Sequence, residues 1–457
     1  MNIIWVISDT FRRDHLGAYG NTNIHTPSLD AFASKSVRFD RHYIASFPTM
    51  PARADYLTGR WTMSYMQWEP LSRDEVLLPT LLAKKGLHTA AVVDTPFYTR
   101  RSMNYDTGFQ TFIEIPGQLD IGKGGMKNAL QGDVRDAWRY ESDCFAPQTF
   151  IRSMRWLEKH YKEEFFLYID TWDPHEPWDA PSYYTALYDS EYDGEIVRPL
   201  YGYWQDAPGY TEEKIKKAHA TYCGEVTMVD TWFGYFLRLV ENLGLMENTA
   251  IIFTSDHGYY FGEHDGLFGK MVFAKDKETG IPKTGVWSHS PFYEEVTAIP
   301  FMIYIPNISA NTYNGLTSAV DFMPTVMDLM GLEIPSVVEG HSLLPMIKNP
   351  SLPGREYVVS AHPFINAGES LRSVDGLDRE TEKDSTATVT TDEWTLLYNT
   401  EPGLSELYHL PSDRRQEKNV ISDHSDVAHE LHQLLVKYMQ ETNIAPDILE
   451  RRLELLL

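Results

Sequence analysis

The sequence predicts an α/β protein: a doubly wound, mostly parallel sheet followed by a smaller C-terminal α+β subdomain. Three observations carry this. Five short apolar runs, at 3–7, 89–93, 165–169, 250–254 and 301–305, lack the apolar–polar alternation of a half-exposed strand. Runs of that kind suit strands buried on both faces of a parallel sheet. Helical patterns lie between them, and strands alternating with helices build a doubly wound sheet. After about Pro353 the texture changes to polar stretches and short strand-like runs.

In chain order, the first run starts at once after Met1 and stops at the acid Asp9, as a first buried strand does. A short helix is expected at 27–34. A second helix has Pro51 in its first turn and Gly59 at its end. A third, 79–85, ends at Gly86, a natural residue just past a helix. At 147–162, Phe150, Met154, Leu157 and Tyr161 recur at helical spacing. Thr211 is placed to cap a long helix, with Glu212 and Glu213 in its first turn opposing the helix dipole. That helix runs to about Leu243 and closes before Gly244. Another, 321–330, ends at Gly331. The large α/β unit is expected over 1–355 and the subdomain over 356–457. Within the latter, 366–386 reads as a long polar loop, 393–398 and 406–410 as strands, and 426–440 as a helix. The tail 447–457 places Ile448, Leu449, Leu453 and Leu456 on an apolar turn. That turn either packs on its own domain or joins two subunits in a homo-oligomer.

Composition narrows the function. The 457 residues carry 40 Lys and Arg against 65 Asp and Glu, a net charge of −25. This argues against a nucleic-acid partner, since phosphate contacts need clustered cations. A small anionic substrate stays possible, because a local site can oppose the global charge. No window holds about 18 consecutive apolar residues, so no membrane span is expected. Cys144 and Cys223 are the only cysteines, too few for a disulfide framework or a Cys-rich zinc site. With no signal-like N-terminus, the expected location is cytoplasmic.

Ligands of open α/β sheets bind beyond the carboxyl ends of the strands. Asp9-Thr10 follows the first run and Ser255-Asp256-His257-Gly258 follows the run at 250–254. Asp170 to His175 follow the run at 165–169. Two acids and a histidine converging from three strand ends form a donor set for one divalent cation. A second cluster, Thr49-Met50-Pro51-Ala52-Arg53, puts Thr49 at a helix N-terminus, where free N–H groups favour an anion. Arg53, four residues on, lies on the same face. A hydroxyl, a helix start and a guanidinium suit a tetrahedral oxyanion and its nucleophile.

These motifs resemble the sulfatase family of the alkaline phosphatase superfamily. The segment 4–20, with Asp9, Asp14-His15-Leu16-Gly17 and Tyr19-Gly20, is similar to the family's first metal motif. Thr49-x-Pro51-x-Arg53 with Leu57-Thr58-Gly59-Arg60 resembles its (Cys/Ser)-x-Pro-x-Arg signature. Asp256-His257-Gly258, Gly262-Glu263-His264 and Gly269-Lys270 resemble the second metal motif and the lysine after it. The resemblance covers nearly the whole chain and implies an alkaline-phosphatase-like fold and a metal-dependent ester hydrolase.

Two departures matter. The nucleophile position holds Thr49, where the family oxidises Cys or Ser to formylglycine. Threonine carries a methyl group on its β-carbon and cannot become an aldehyde, so that route is closed. Threonine is the nucleophile in phosphodiesterases of the same superfamily, which shifts the expected substrate from sulfate towards phosphate or phosphonate esters. Thr10 stands where the family often has a second acid. Phosphonate monoester hydrolases are relatives with one acid there and share the x-Pro-Ala-Arg form.

The resemblance implies these roles. Asp9, Asp256 and His257 hold one divalent ion (Ca, Mn, Zn or Mg), with Thr49 completing the sphere and Thr10 contributing weakly. Arg53 orients Thr49 and stabilises charge, and His175 and Lys270 act at the leaving oxygen. Residues 271–288 form an insertion able to bring His289 over the site. Trp172, Trp178, Tyr98, Tyr259, Tyr260 and Phe261 either surround the mouth or pack. His15, His25, His42 and His362 read as structural. The competing readings are a catalytically inactive binding protein, against which the retained set of charged residues argues, and a phosphoryl-group transferase.

Overall fold

The strand Asn2–Ser8 lies inside an eight-stranded sheet, hydrogen-bonded in parallel to Phe165–Thr171 on one side and Thr249–Thr254 on the other. The structure, a computed structural model, describes residues 1–100, 102–117, 138–275, 282–364, 370–372, 379–381 and 386–457. Beyond Phe165–Thr171 the parallel run continues through His88–Val93 to Thr111–Glu114. On the other flank Phe301–Tyr304 pairs antiparallel with Thr249–Thr254. Val37–Phe39 and Asn311–Tyr313 then finish the sheet.

The sequence texture follows from burial on both faces. Ile3, Trp5 and Ile7 enter one core, with the helices Thr49–Thr58, Leu78–Lys85 and Phe322–Leu329. Ile4 and Val6 enter the other, with Phe145–His160 and the 31-residue helix Glu212–Asn242. Trp5 is fully buried, stacked on Tyr168 with ring centroids 4.3 Å apart and against Phe322 at 4.4 Å. Burying a side chain of that size contributes about 5 kcal/mol before entropy is counted.

Most helix boundaries follow their local chemistry. Thr211 accepts a hydrogen bond from the Lys214 N–H, and Gly244 takes φ 72° just past the long helix. The helix expected from Pro147 begins earlier, at Phe145, where the Asp173 carboxylate accepts the Ala146 N–H at 3.1 Å. That cap comes from the turn after the strand Phe165–Thr171 and has no local signature.

The C-terminal segment forms a four-stranded antiparallel sheet: Val358–Ala361, Ala387–Thr390, Trp394–Tyr398 and Glu406–His409. The helix Ser425–Glu441 covers it, and Ile448 and Leu455 of the tail join its core. Leu453 and Leu456 are exposed. The stretch expected as one loop, 366–386, departs from that reading where it is described. Ser370–Arg372 and Arg379–Thr381 are strands in a small sheet with Val272–Lys275 and Pro282–His289. Strand formation there depends on a distant backbone partner, which polarity along the sequence does not encode. The rest of 366–386 lies outside the described residues. The His289 backbone ends the strand Pro282–His289, opposite Val272. Among the described residues no helix is long and apolar enough to cross a membrane.

Candidate active site

The three central strands deliver acids to one end of the sheet. Asp9 follows the first strand, Asp256 follows Thr249–Thr254 after one residue, and Asp170 sits in register with Ile7. Thr10 takes φ 61°, which turns the chain sharply off the strand. Its N–H donates to Asp256 Oδ1 at 2.9 Å and its hydroxyl to Asp9 Oδ1 at 2.7 Å. Both hydrogen-bond donors of Thr10 are therefore directed at the two acids. His257 Nδ1 donates to the Gly258 carbonyl at 3.0 Å, which turns the Nε2 lone pair inward. Ligand atoms of Asp9, Asp256 and His257 lie within 4.8 Å of one another, all buried. Burial, with a further contribution from the Lys270 charge, pushes the His257 pKa down to about 3. The imidazole is thus neutral and able to ligate.

The helix Thr49–Thr58 points its N-terminus into this group. Thr49 is its first residue, and its hydroxyl lies 3.4 Å from His257 Nε2. The helix is anchored from beneath by Asp55, whose carboxylate accepts N–H and hydroxyl donors from both Ser46 and Thr62. Gly59 ends it at φ 65°, where a β-carbon would come 2.9 Å from Val338.

Arg53, fully buried, faces three acids and donates hydrogen bonds to two of them and to one carbonyl. Nε and Nη2 hold Asp170 at 2.9 and 2.7 Å. Nη1 donates to Asp256 Oδ2 at 2.8 Å and to the Thr49 carbonyl at 3.0 Å. Those two bonds exhaust the Nη1 hydrogens. Asp9 Oδ2, 3.1 Å from the same nitrogen, is accordingly left without a hydrogen bond although it is buried. Three buried carboxylates face one guanidinium, a deficit of two positive charges that a divalent cation matches. Two carboxylates, a neutral imidazole and an orphaned carboxylate oxygen fit such an ion.

A second charged group stands beside them. Lys270 Nζ donates to His175 Nε2 at 2.9 Å and pairs with Glu176 at 3.2 Å, while His175 Nδ1 donates to the Glu176 carbonyl at 2.7 Å. Glu176 is buried and also accepts from the Tyr201 hydroxyl. Burial alone would push its carboxyl up; His175 and Lys270 outweigh that and hold it below the usual range. The eight residues singled out from the sequence therefore form two adjoining clusters: Asp9, Thr10, Thr49, Arg53, Asp256 and His257 in one, His175 and Lys270 in the other.

Sequence reasoning did not assign roles to Asp170, Glu176 or Asp94. Asp94 follows the run at 89–93 just as Asp9 follows the run at 3–7, a signal that was present. It accepts the Trp172 N–H and the Thr149 hydroxyl, and burial, then Asp173 and Asp170, push its carboxyl well up. Trp172 stacks on Tyr98 and lies 5.1 Å from the Arg53 guanidinium. It is buried, as are Tyr98, Trp178, Tyr259 and Tyr260. These rings pack, with Phe261 partly exposed beside them.

The chain is 25% identical to an arylsulfatase of Clostridium perfringens over 96% of this chain and 94% of that one. The phosphonate monoester hydrolase of Silicibacter pomeroyi has the same fold, with a TM-score of 0.75 at 20% identity, covering 96% of this chain and 95% of that one. So does a protein solved with its substrate D-glucosamine-2-N,6-O-disulfate, with a TM-score of 0.75 at 19% identity, covering 98% and 99%. Residues 1–332, which include both clusters, match the Sulfatase family model. The chain belongs to the sulfatase family and is a hydrolase of sulfuric or phosphoric esters.

Proposed function

We propose that the chain cleaves phosphate or phosphonate esters with Thr49 as nucleophile. One observation carries the reading: a threonine is the first residue of the helix, with its hydroxyl 3.4 Å from His257 Nε2 beside Asp9 and Asp256. A divalent ion held by Asp9, Asp256 and His257 would polarise the ester oxygen and lower the pKa of the Thr49 hydroxyl. Thr49 Oγ gives up its proton to water and bonds to phosphorus, and the bond from phosphorus to the leaving oxygen breaks. Arg53 holds the Thr49 backbone through its carbonyl and sets the start of the helix. The Lys270–His175 pair delivers a proton to the leaving oxygen. Water cleaves the phospho-threonine and restores the hydroxyl. The substrate class is a small anionic ester.

The test compares wild type with Thr49→Ala on aryl phosphate, phosphate diester, phosphonate and sulfate esters, each with Mn²⁺, Zn²⁺, Ca²⁺ or Mg²⁺. Loss of at least about 10³-fold on the phosphorus esters is expected for removal of a nucleophile. A phosphorylated Thr49 peptide after quenched turnover would support the step. Activity untouched by Thr49→Ala would remove Thr49 from this role.

A further inference from the structure

A second convergence of ligand atoms lies outside the catalytic group. The short helical turn Arg13–His15 meets the long helix Glu212–Asn242. There His15 Nε2 stands 2.7 Å from His219 Nε2, and Cys223 Sγ stands 3.7 Å from the same His219 nitrogen. His219 and Cys223 are four residues apart on one helix face. The three ligand atoms fall within 4.8 Å of one another, with His15 and Cys223 buried and His219 half-buried. All three line one cavity of about 1120 Å³.

The surroundings prepare these atoms as donors. His15 Nδ1 donates to the Asp14 carboxylate at 2.8 Å. Asp14 is itself held by Arg12 through two bonds, at 2.8 and 2.6 Å. This fixes the tautomer of His15, so its Nε2 carries a lone pair aimed at His219. A carboxylate behind a histidine is the usual support of a metal ligand. The spacing is close to what an ion requires. Zn–N and Zn–S bonds of about 2.05 and 2.3 Å at a tetrahedral angle set N···S near ~3.6 Å and N···N near ~3.3 Å. The sulfur is already at that distance, and the half-buried His219 ring needs to move about 0.6 Å from His15.

We propose that His15, His219 and Cys223 form a site for one borderline-soft divalent cation of the Zn²⁺ class, its fourth position open to the cavity. Nitrogen and thiolate donors disfavour Mg²⁺ and Ca²⁺, which take oxygen. The site shares no ligand with Asp9, Asp256 and His257. It cross-links the loop that carries Asp9 to the long helix. Between His219 and Cys223, Tyr222 already accepts the Arg12 N–H at 2.8 Å and donates to the Thr10 carbonyl at 2.9 Å. Binding displaces the Cys223 thiol proton to water as the metal–sulfur bond forms.

The test adds Co²⁺ alone to the chelator-treated full-length protein and records the near-ultraviolet spectrum. The catalytic group contains no sulfur, so a sulfur-to-cobalt charge-transfer band reports only a cysteine. The band is expected in wild type, unchanged in Cys144→Ser, absent in Cys223→Ser, and removed when Zn²⁺ is added. His219→Gln should weaken Co²⁺ binding at least about 100-fold, the upper end of losing a mere outer partner. A wild-type protein with no band, or a band that survives in folded Cys223→Ser, would overturn the proposal. In that case the 2.7 Å contact is only a hydrogen bond between two imidazoles.

Discussion

Arg53 and Asp170 meet as a buried two-pronged ion pair, Nε to Oδ2 at 2.9 Å and Nη2 to Oδ1 at 2.7 Å. With the guanidinium held in this way, Nη1 reaches Asp256 and the Thr49 carbonyl. Asp170 therefore positions Arg53, and through it the start of the helix carrying Thr49. Asp170→Asn should lower kcat and kcat/KM together by about 10²-fold, as misplacement of a reacting group does. Stability should also fall, by about 3 kcal/mol, because one partner of a buried pair has gone. A lower melting temperature with unchanged kcat would leave Asp170 a purely structural role.

Thr49 can be probed by shape as well as by removal. Thr49→Ser keeps the hydroxyl and should retain phosphorus-ester turnover within about tenfold. Thr49→Val keeps the volume without the oxygen and should match Thr49→Ala. Equal rates for Ser and Val would contradict a nucleophilic hydroxyl.

Removing metal should have two separable signatures. Chelation should abolish turnover and lower the melting temperature, since an ion present at about 100 times its Kd contributes about 2.7 kcal/mol to the folded state. With the second site removed by Cys223→Ser, Asp256→Ala should lose both the remaining ion, measured by elemental analysis, and the chelator-sensitive stability that this ion supplies. Full metal content at Asp9 and His257 in this variant would count against the assignment.

Lys270 and His175 share one hydrogen bond, so their substitutions should not add. Each alone, Lys270→Ala or His175→Ala, should cost about 10²–10³ in kcat. The double variant should lose clearly less than the product of the two. Strict multiplicativity, measured with a substrate of poor leaving group, would show that they act independently.

Acid sensitivity should involve Asp321. Burial alone would push its carboxyl up, but Arg355 beside it and the N–H donors of His341 and Ser318 hold it below the usual range. A depressed folded-state pKa adds stability above the unfolded value of about 3.9, and this is lost as pH falls through the folded value. Asp321→Asn should therefore lower stability by about 3 kcal/mol at pH 7 and flatten the loss between pH 5 and about 3. Denaturant midpoints measured across that range would check both. An unaltered acid slope would show that other carboxylates set it.

The chemistry of the site was legible where a residue sits next to a chain-local feature. Asp9 and Asp256 follow buried runs, Thr49 begins a helix that ends at Gly59, and Arg53 lies one turn on. Glu176 was not legible, because its meaning comes from Lys270, 94 residues away. The strands Ser370–Arg372 and Arg379–Thr381 were missed for the same reason, since their partner is Pro282–His289.

By itself the sequence determined the α/β class and the strand-end acids, because burial patterning and helix ends are local properties; its resemblance to the sulfatases, read with the β-methyl group of Thr49, implied that the formylglycine route is closed. Only the tertiary structure decided that three carboxylates share one guanidinium, that Thr10 ties two of them together, and that His15 faces His219 and Cys223. Most of those contacts join residues more than a hundred positions apart, as Arg53 with Asp170 and Asp256, Thr10 with Asp256, and His15 with His219, and their energies depend on the distances at which packing sets the charges.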